Sequence, residues 1–144
     1  MHSVLRYLIA LWGNTTQFNL NRIQRLQNRA IKNIFNLKYE TRSDLLYSQF
    51  PILPIKRLIS IELCTLVYKI DHDMLKSNIA FKKSLHAYNT RNKDHYTLNE
   101  DIISDFGRKR PSYKGAHLYN NLPKPIRQSE TFYKFKNSVK THFS

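Results

Sequence analysis

Acidic residues are missing from the first 39 positions of this 144-residue chain, which hold six Lys/Arg instead. Glycine is nearly missing as well, and three in the whole chain are too few to build a phosphate-cradling glycine loop. The single cysteine, Cys64, lies in an apolar stretch, so no internal disulfide can form and a reduced nuclear or cytoplasmic setting is expected rather than a secreted one. No apolar run approaches the roughly 20 residues of a membrane span. The stretch from Val4 to Trp12 is short, is interrupted by Arg6 and lacks a small-residue cleavage site, which argues against a signal peptide. Catalytic patterns are missing too. The histidines and the cysteine follow neither C-x-x-C nor H-E-x-x-H spacing, so no metal and no cofactor are expected. No serine sits in a nucleophile elbow. Asp71-His72-Asp73 reads as the frayed end of a helix, and Glu100, Asp101 and Asp105 show no paired catalytic spacing.

Positive charge is what remains in excess, with 24 Lys/Arg against 10 Asp/Glu and a formal net charge of +14. Such a surplus repels itself in a compact state and points to a polyanionic partner. It is unevenly placed. Residues 40–73 hold four basic and five acidic groups, and 94–105 hold four acidic and none basic. The excess lies in 1–39, in 74–93 (five to none) and in 106–144 (nine to one). An apolar fraction of 41% is enough to fill a core.

Periodicity places that core on helices. Val4, Leu5, Leu8, Ile9 and Trp12 recur at helical spacing, with Gly13 a candidate left-handed C′ residue. A second helix begins near Phe18 or the cap residue Asn19 and runs to Leu37. A short one follows Thr41-Arg42-Ser43-Asp44, and Pro51-Ile52-Leu53-Pro54 closes it. The most apolar helix spans Ile55 to Leu75, with Ile59, Leu63, Leu66, Val67, Ile70 and Met74 on its main stripe, and is expected at the centre of a bundle. Residues 77–112 are polar and weakly periodic, and an irregular or partly disordered segment is expected there. Helices over Tyr113–Asn121 and Thr131–Phe143 close the chain. The expected fold is therefore all-α, a small helical bundle over 1–76, the irregular segment 77–112, and short C-terminal helices over 113–144.

The helix from Asn19 to Leu37 carries the clearest chemistry. Arg22, Arg25, Arg29 and Lys32, spaced by three, four and three, form one narrow stripe, while Leu20, Ile23, Leu26, Ala30, Ile31, Ile34 and Leu37 spread around the other side. A stripe of charge is ordinarily a solvated face. This one has no acids to make stabilising i,i+4 pairs, and a ridge of one sign suits phosphate. Further on, His86-Ala87-Tyr88-Asn89-Thr90-Arg91-Asn92-Lys93 interleaves rings, amides and cations of the kind that stack on bases and bond phosphates, so Tyr88, Asn89, Arg91 and Lys93 join the candidates. Taken alone, that segment reads more readily as a surface turn held by its own Asn and Thr side chains. Arg108-Lys109-Arg110 adds a short basic run, readable as phosphate contacts or a nuclear localisation signal.

These stretches, in this order, resemble the carboxyl-terminal portion of reverse transcriptases from jockey-type non-LTR retrotransposons. The resemblance rests on Trp12-Gly13 after an apolar helix and on QRLQNRAIKNI at Gln24–Ile34. It rests also on Ile52-Leu53-Pro54 before a helix and on the H-x-Y-N-T-R word at His86–Arg91. The Y-x-G-x-x-L-Y-N-x-L-P box at Tyr113–Pro123, with Phe135-Lys136 in the closing helix, completes it. Ala116 stands where the family commonly has proline. No Tyr-x-Asp-Asp motif is present, so the resemblance implies a thumb and the segment after it without the polymerase palm, and no catalysis by these residues alone. It assigns Arg22, Arg25, Arg29 and Lys32 to the backbone of a template–primer duplex. The function expected is binding of RNA or RNA–DNA hybrid with low sequence preference. The alternatives are an interaction module that docks the missing palm, another protein or a second copy through residues 4–12, or a fragment without independent function. A membrane surface is not expected as partner, because the apolar face is needed for the core.

Overall fold

A computed structural model of the chain describes residue 6 and residues 8–79, 81–83, 95–98 and 104–143. They form an all-α protein, as the periodicity predicts. Its helices are α1 (Ile9–Trp12), α2 (Gln17–Ile34), α3 (Ser43–Gln49), α4 (Ile55–Asp71), α5 (Asp105–Arg108), α6 (Pro111–Asn120), α7 (Lys124–Arg127) and α8 (Phe132–His142). Among the described residues no sheet forms, and one isolated antiparallel bridge joins Lys83 to Tyr96. Two compact units divide between Ile59 and Ser60, inside α4, whereas the expected segments 1–76, 77–112 and 113–144 follow composition.

In the first unit α2 starts at Gln17, one residue before Phe18 and two before Asn19. Thr16 has extended dihedrals and its hydroxyl accepts from the Asn19 N–H at 3.4 Å, which satisfies one of the donors a helix start leaves over. The buried face of α2 is Leu20, Gln27 and Ile31, while Leu26 and Ile34 stand 65% and 64% exposed. The inward arc is thus rotated toward two glutamines, away from the apolar arc expected. The reason lies at the start of α4. The Ile55 N–H donates to Gln24 Oε1 at 3.0 Å and to Gln27 Oε1 at 3.1 Å, and Gln27 Nε2 donates to the Leu53 carbonyl at 2.8 Å. Side chains of one helix therefore cap the next across the Leu53-Pro54 turn. Gln27→Leu should cost about 1 kcal/mol in chemical denaturation, because the half-buried Leu53 carbonyl loses its side-chain donor. Gln24→Leu should cost less, since Gln27 still accepts from Ile55. Equal losses would show that the cap is not shared in this way.

Close approach, rather than a left-handed turn, explains Gly13. Its φ is −67°, and a Cβ there would stand 2.5 Å from the Ile9 carbonyl oxygen and 2.8 Å from Ile59 Cγ1. Gly13→Ala should destabilise by about 1–3 kcal/mol through overpacking, read as a lowered denaturant midpoint; an unchanged midpoint would mean that the Ile59 side chain yields. The left-handed residue is Leu8, at φ 49°, so the apolar helix expected from Val4 to Trp12 is broken there, with α1 beginning at Ile9. Val4 and Leu5 lie outside the described residues.

Neither long helix ends on glycine. Asn36 at φ 51° closes α2, with the Leu37 N–H on the Lys32 carbonyl (2.8 Å) and the Asn36 N–H on the Asn33 carbonyl (3.4 Å). Asp73 at φ 53° closes α4 in the same manner, the Met74 N–H reaching the Lys69 carbonyl at 2.8 Å. This is the Schellman arrangement, with Asn and Asp in the place glycine usually takes. As a result α4 stops at Asp71, short of the expected Leu75, and Met74 and Leu75 are exposed.

The second unit packs around the rest of α4. Ile61, Leu63, Cys64, Val67 and Tyr68 are all buried, and burial pushes the Cys64 thiol up to about 12, so it stays protonated. The Tyr68 ring stacks between His72 (3.9 Å) and Phe135 (4.2 Å), and its hydroxyl donates to the Ser129 carbonyl at 3.0 Å. Thr131 caps α8, accepting from the Lys134 N–H at 3.3 Å; of Phe132, Phe135 and Val139, which their spacing sets on one side, Phe135 and Val139 are buried and Phe132 is half-buried. Between residues 77 and 112 the described chain is irregular apart from α5 and the start of α6, yet it is anchored. Tyr96 is buried, and Asn120 clamps its backbone twice, at N–H and carbonyl, each at 2.9 Å. Lys83 pairs with Asp71 at 2.9 Å.

Candidate nucleic-acid interface

The α2 stripe stands where its spacing places it, opposite Leu20, Gln27 and Ile31. Arg22, Arg25 and Arg29 are exposed. Arg25 and Arg29 make no hydrogen bond or ion pair with a described residue, and α2 carries no acid that could pair with them along the helix. Arg22 lies over the Phe18 ring, 5.9 Å from its centroid. Lys32 differs from the arginines. Its ammonium donates to the Tyr39 carbonyl at 2.5 Å and sits 5.4 Å from the Tyr39 ring, which ties it into the turn after α2. At about 1.5 Å of rise per residue the stripe is about 15 Å long, enough to reach more than one phosphate of a duplex strand.

Arg108, Lys109 and Arg110 belong to the second unit, at the junction of α5 and α6. Arg108 ends α5, and Arg110 is the extended residue before α6 whose carbonyl accepts from the Lys114 N–H at 2.9 Å. Arg108 and Arg110 are exposed and Lys109 is half-buried. Burial, and then the neighbouring Lys109 charge, hold the Lys114 ammonium below its ordinary pKa. A lysine whose pKa is depressed on folding opposes the fold while it is protonated in both states, and that penalty fades as pH rises through its folded pKa. Lys114→Gln should therefore raise the melting midpoint at neutral pH, by an amount that shrinks in alkaline buffer. A midpoint lowered at neutral pH would show that the ammonium is instead a stabilising contact.

Tyr88, Asn89, Arg91 and Lys93 lie outside the described residues; the chain on either side of them is joined at the Lys83–Tyr96 bridge.

The recurring words in the sequence divide into residues that hold the fold and residues left available. Gln24 and Gln27 of the QRLQNR segment are engaged in capping α4, and its arginines, Arg25 and Arg29, are not engaged by any described residue. In the Tyr113–Pro123 box, Gly115 lets α6 approach α4, since a Cβ there would meet Val67 Cγ2 at 3.0 Å. Tyr119 and Leu122 are core and Asn120 clamps Tyr96. That box is structural scaffold.

One feature escaped the sequence. Trp12, Thr15, Asn19, Arg22, Ile23 and Leu26 line an open groove along the edge of the stripe, with Phe18, 66% exposed, beside Arg22. Asn19, Arg22, Ile23 and Leu26 of α2 supply one wall, with the i,i+4 pair Phe18–Arg22 as the available signal; Trp12 of α1 and Thr15 of the turn after it supply the rest. Among the described residues no three His, Cys, Asp or Glu side chains gather as metal ligands would, and no helix is long and apolar enough to cross a membrane.

No family model, curated protein or solved structure matches the chain.

Proposed function

We propose that this chain binds RNA or RNA–DNA hybrid through the α2 ridge, with little sequence preference, and is the thumb and post-thumb portion of a jockey-type non-LTR retrotransposon reverse transcriptase. The observation that carries the reading is the ridge itself: Arg22, Arg25 and Arg29 exposed on the face of α2 opposite the core, without an acid in the helix to offset them. Guanidinium groups suit phosphate, and phosphate contacts position a duplex without specifying its sequence. Arg108, Lys109 and Arg110 add further cations in the second unit, and the motif resemblance supplies the parent polymerase. In this reading the chain is catalytically silent without its palm and works in the nucleus or cytoplasm.

Fluorescence anisotropy with a short labelled RNA–DNA hybrid and with single-stranded RNA, titrated with salt, tests it. Micromolar or tighter binding at about 50 mM salt is expected, falling with a log–log slope of about −3 or steeper on the hybrid, about 0.9 per phosphate contacted. Absence of binding at that salt would overturn the reading. A protein partner for residues 4–12 is the second reading, favoured by the exposure of Leu8 and Leu11. It predicts self-association, or capture of a separately supplied palm, that nucleic acid does not relieve.

A further inference from the structure

We infer that the groove beside the ridge takes an unpaired nucleobase from a strand whose phosphates lie on the arginines; this rests on the reading above. The groove combines what a base requires. The indole of Trp12 and the side chains of Ile23 and Leu26 offer apolar surface, and Asn19 and Thr15 offer an amide and a hydroxyl at one end. Asn19 Nδ2 already donates to Thr15 Oγ1 at 2.9 Å, so the amide is held in one orientation. Arg22 belongs to both features, lining the groove and standing in the ridge. A phosphate on Arg22 therefore places its own nucleoside at the groove mouth. Leu26, 65% exposed in the middle of α2, is otherwise an apolar side chain in water for no evident structural gain. Charge selects the occupant: Arg22 lines the groove and continues into the exposed ridge of Arg25 and Arg29 on a helix without an acid, which suits a polyanion and disfavours a second copy of a chain that itself carries +14. Stacking on an aromatic side chain tolerates any base, so the low sequence preference is kept.

Trp12 is the chain's single tryptophan, so its emission reads this groove alone. Three probes separate the possibilities: oligo-uridine, an abasic strand of the same length, and inorganic polyphosphate, with binding followed by competition against a labelled hybrid. All three should compete, but only oligo-uridine should quench Trp12. Leu26→Ala should weaken oligo-uridine by about fivefold or more while leaving polyphosphate unchanged. Equal Trp12 responses to oligo-uridine and to the abasic strand would overturn the base site and leave the ridge standing. Failure of all three to compete would overturn the ridge and the base site together. A Trp12 shift that follows protein concentration without any oligonucleotide, with a dimer in sedimentation, would assign the groove to a second copy and overturn the base site.

Discussion

Glutamine at Arg22, Arg25 and Arg29 together should weaken binding of an RNA–DNA hybrid about a hundredfold at about 0.15 M salt. Each phosphate contact on a duplex releases about 0.9 of a counterion, which at that salt is worth about fivefold in affinity, and three contacts multiply. The log–log salt slope should flatten by about 3 in the same variant, and by a similar amount for unrelated sequences, because guanidinium–phosphate contacts carry no sequence information. Stability should hold. The three side chains are exposed, Arg25 and Arg29 have no described partner, and like charges at i,i+3 and i,i+4 repel weakly, so their removal relieves the helix slightly. Only Arg22 gives something up, its place over Phe18, worth about half a kcal/mol at an exposed site. Lys32→Gln is the instructive comparison. Its ammonium is engaged with the Tyr39 carbonyl, so a stability change larger than the affinity change is expected there. Loss of the cooperative melt in the triple variant would make the ridge structural. Loss of affinity confined to one sequence would make it a reader of bases.

The ridge was legible because charge type and a 3.6-residue period are both written locally. The same applies to α4, whose apolar residues leave few faces for solvent, and to α8, where the spacing of Phe132, Phe135 and Val139 marks the inner side and the latter two are buried. What could not be read was which neighbour each face meets. Periodicity put Leu26 and Ile34 on the apolar side of α2, yet tertiary demand at the start of α4 turned Gln24 and Gln27 inward. Polar residues spent on backbone groups some 30 positions away leave no mark on local pattern. Tyr96 is the sharper case. It sits in a polar stretch without period, yet its backbone is held by the Asn120 amide, 24 residues further on, and its ring packs on Phe81 and Tyr119. The helix ends were hidden for a different reason. Asn36 and Asp73 accept left-handed dihedrals that the glycine signal leads one to seek elsewhere, while Gly13, the residue that gave that signal, is needed for space. The Trp12 groove was illegible because α2 supplies only one wall, and Trp12 and Thr15 close it from outside that helix.

Leu63→Ala should cost about 3–5 kcal/mol, the upper part of the range for a buried leucine. Leu63 is fully buried in the middle of α4, so the lost transfer energy is complete. The size of the remaining term depends on whether the walls can close on the cavity, and here they are pinned. Gly115 already brings the α6 backbone against α4, its missing Cβ direction only 3.8 Å from the Leu63 carbonyl and 3.0 Å from Val67 Cγ2. Helices in contact through a glycine cannot move closer to fill a hole beside it, and the neighbouring Tyr68 ring is fixed by its bond to Ser129 and its stack on Phe135. The cavity therefore stays open, and an open cavity is the costly kind. Leu66, three residues on and only half-buried, provides the internal scale: Leu66→Ala should cost about 1 kcal/mol, since part of its surface is in water already. Chemical denaturation followed by far-ultraviolet circular dichroism reads both. A Leu63→Ala loss below about half a kcal/mol, or one equal to that of Leu66→Ala, would remove α4 from the centre of the second unit. In that event the close approach at Gly115 could not be the constraint that keeps its walls apart.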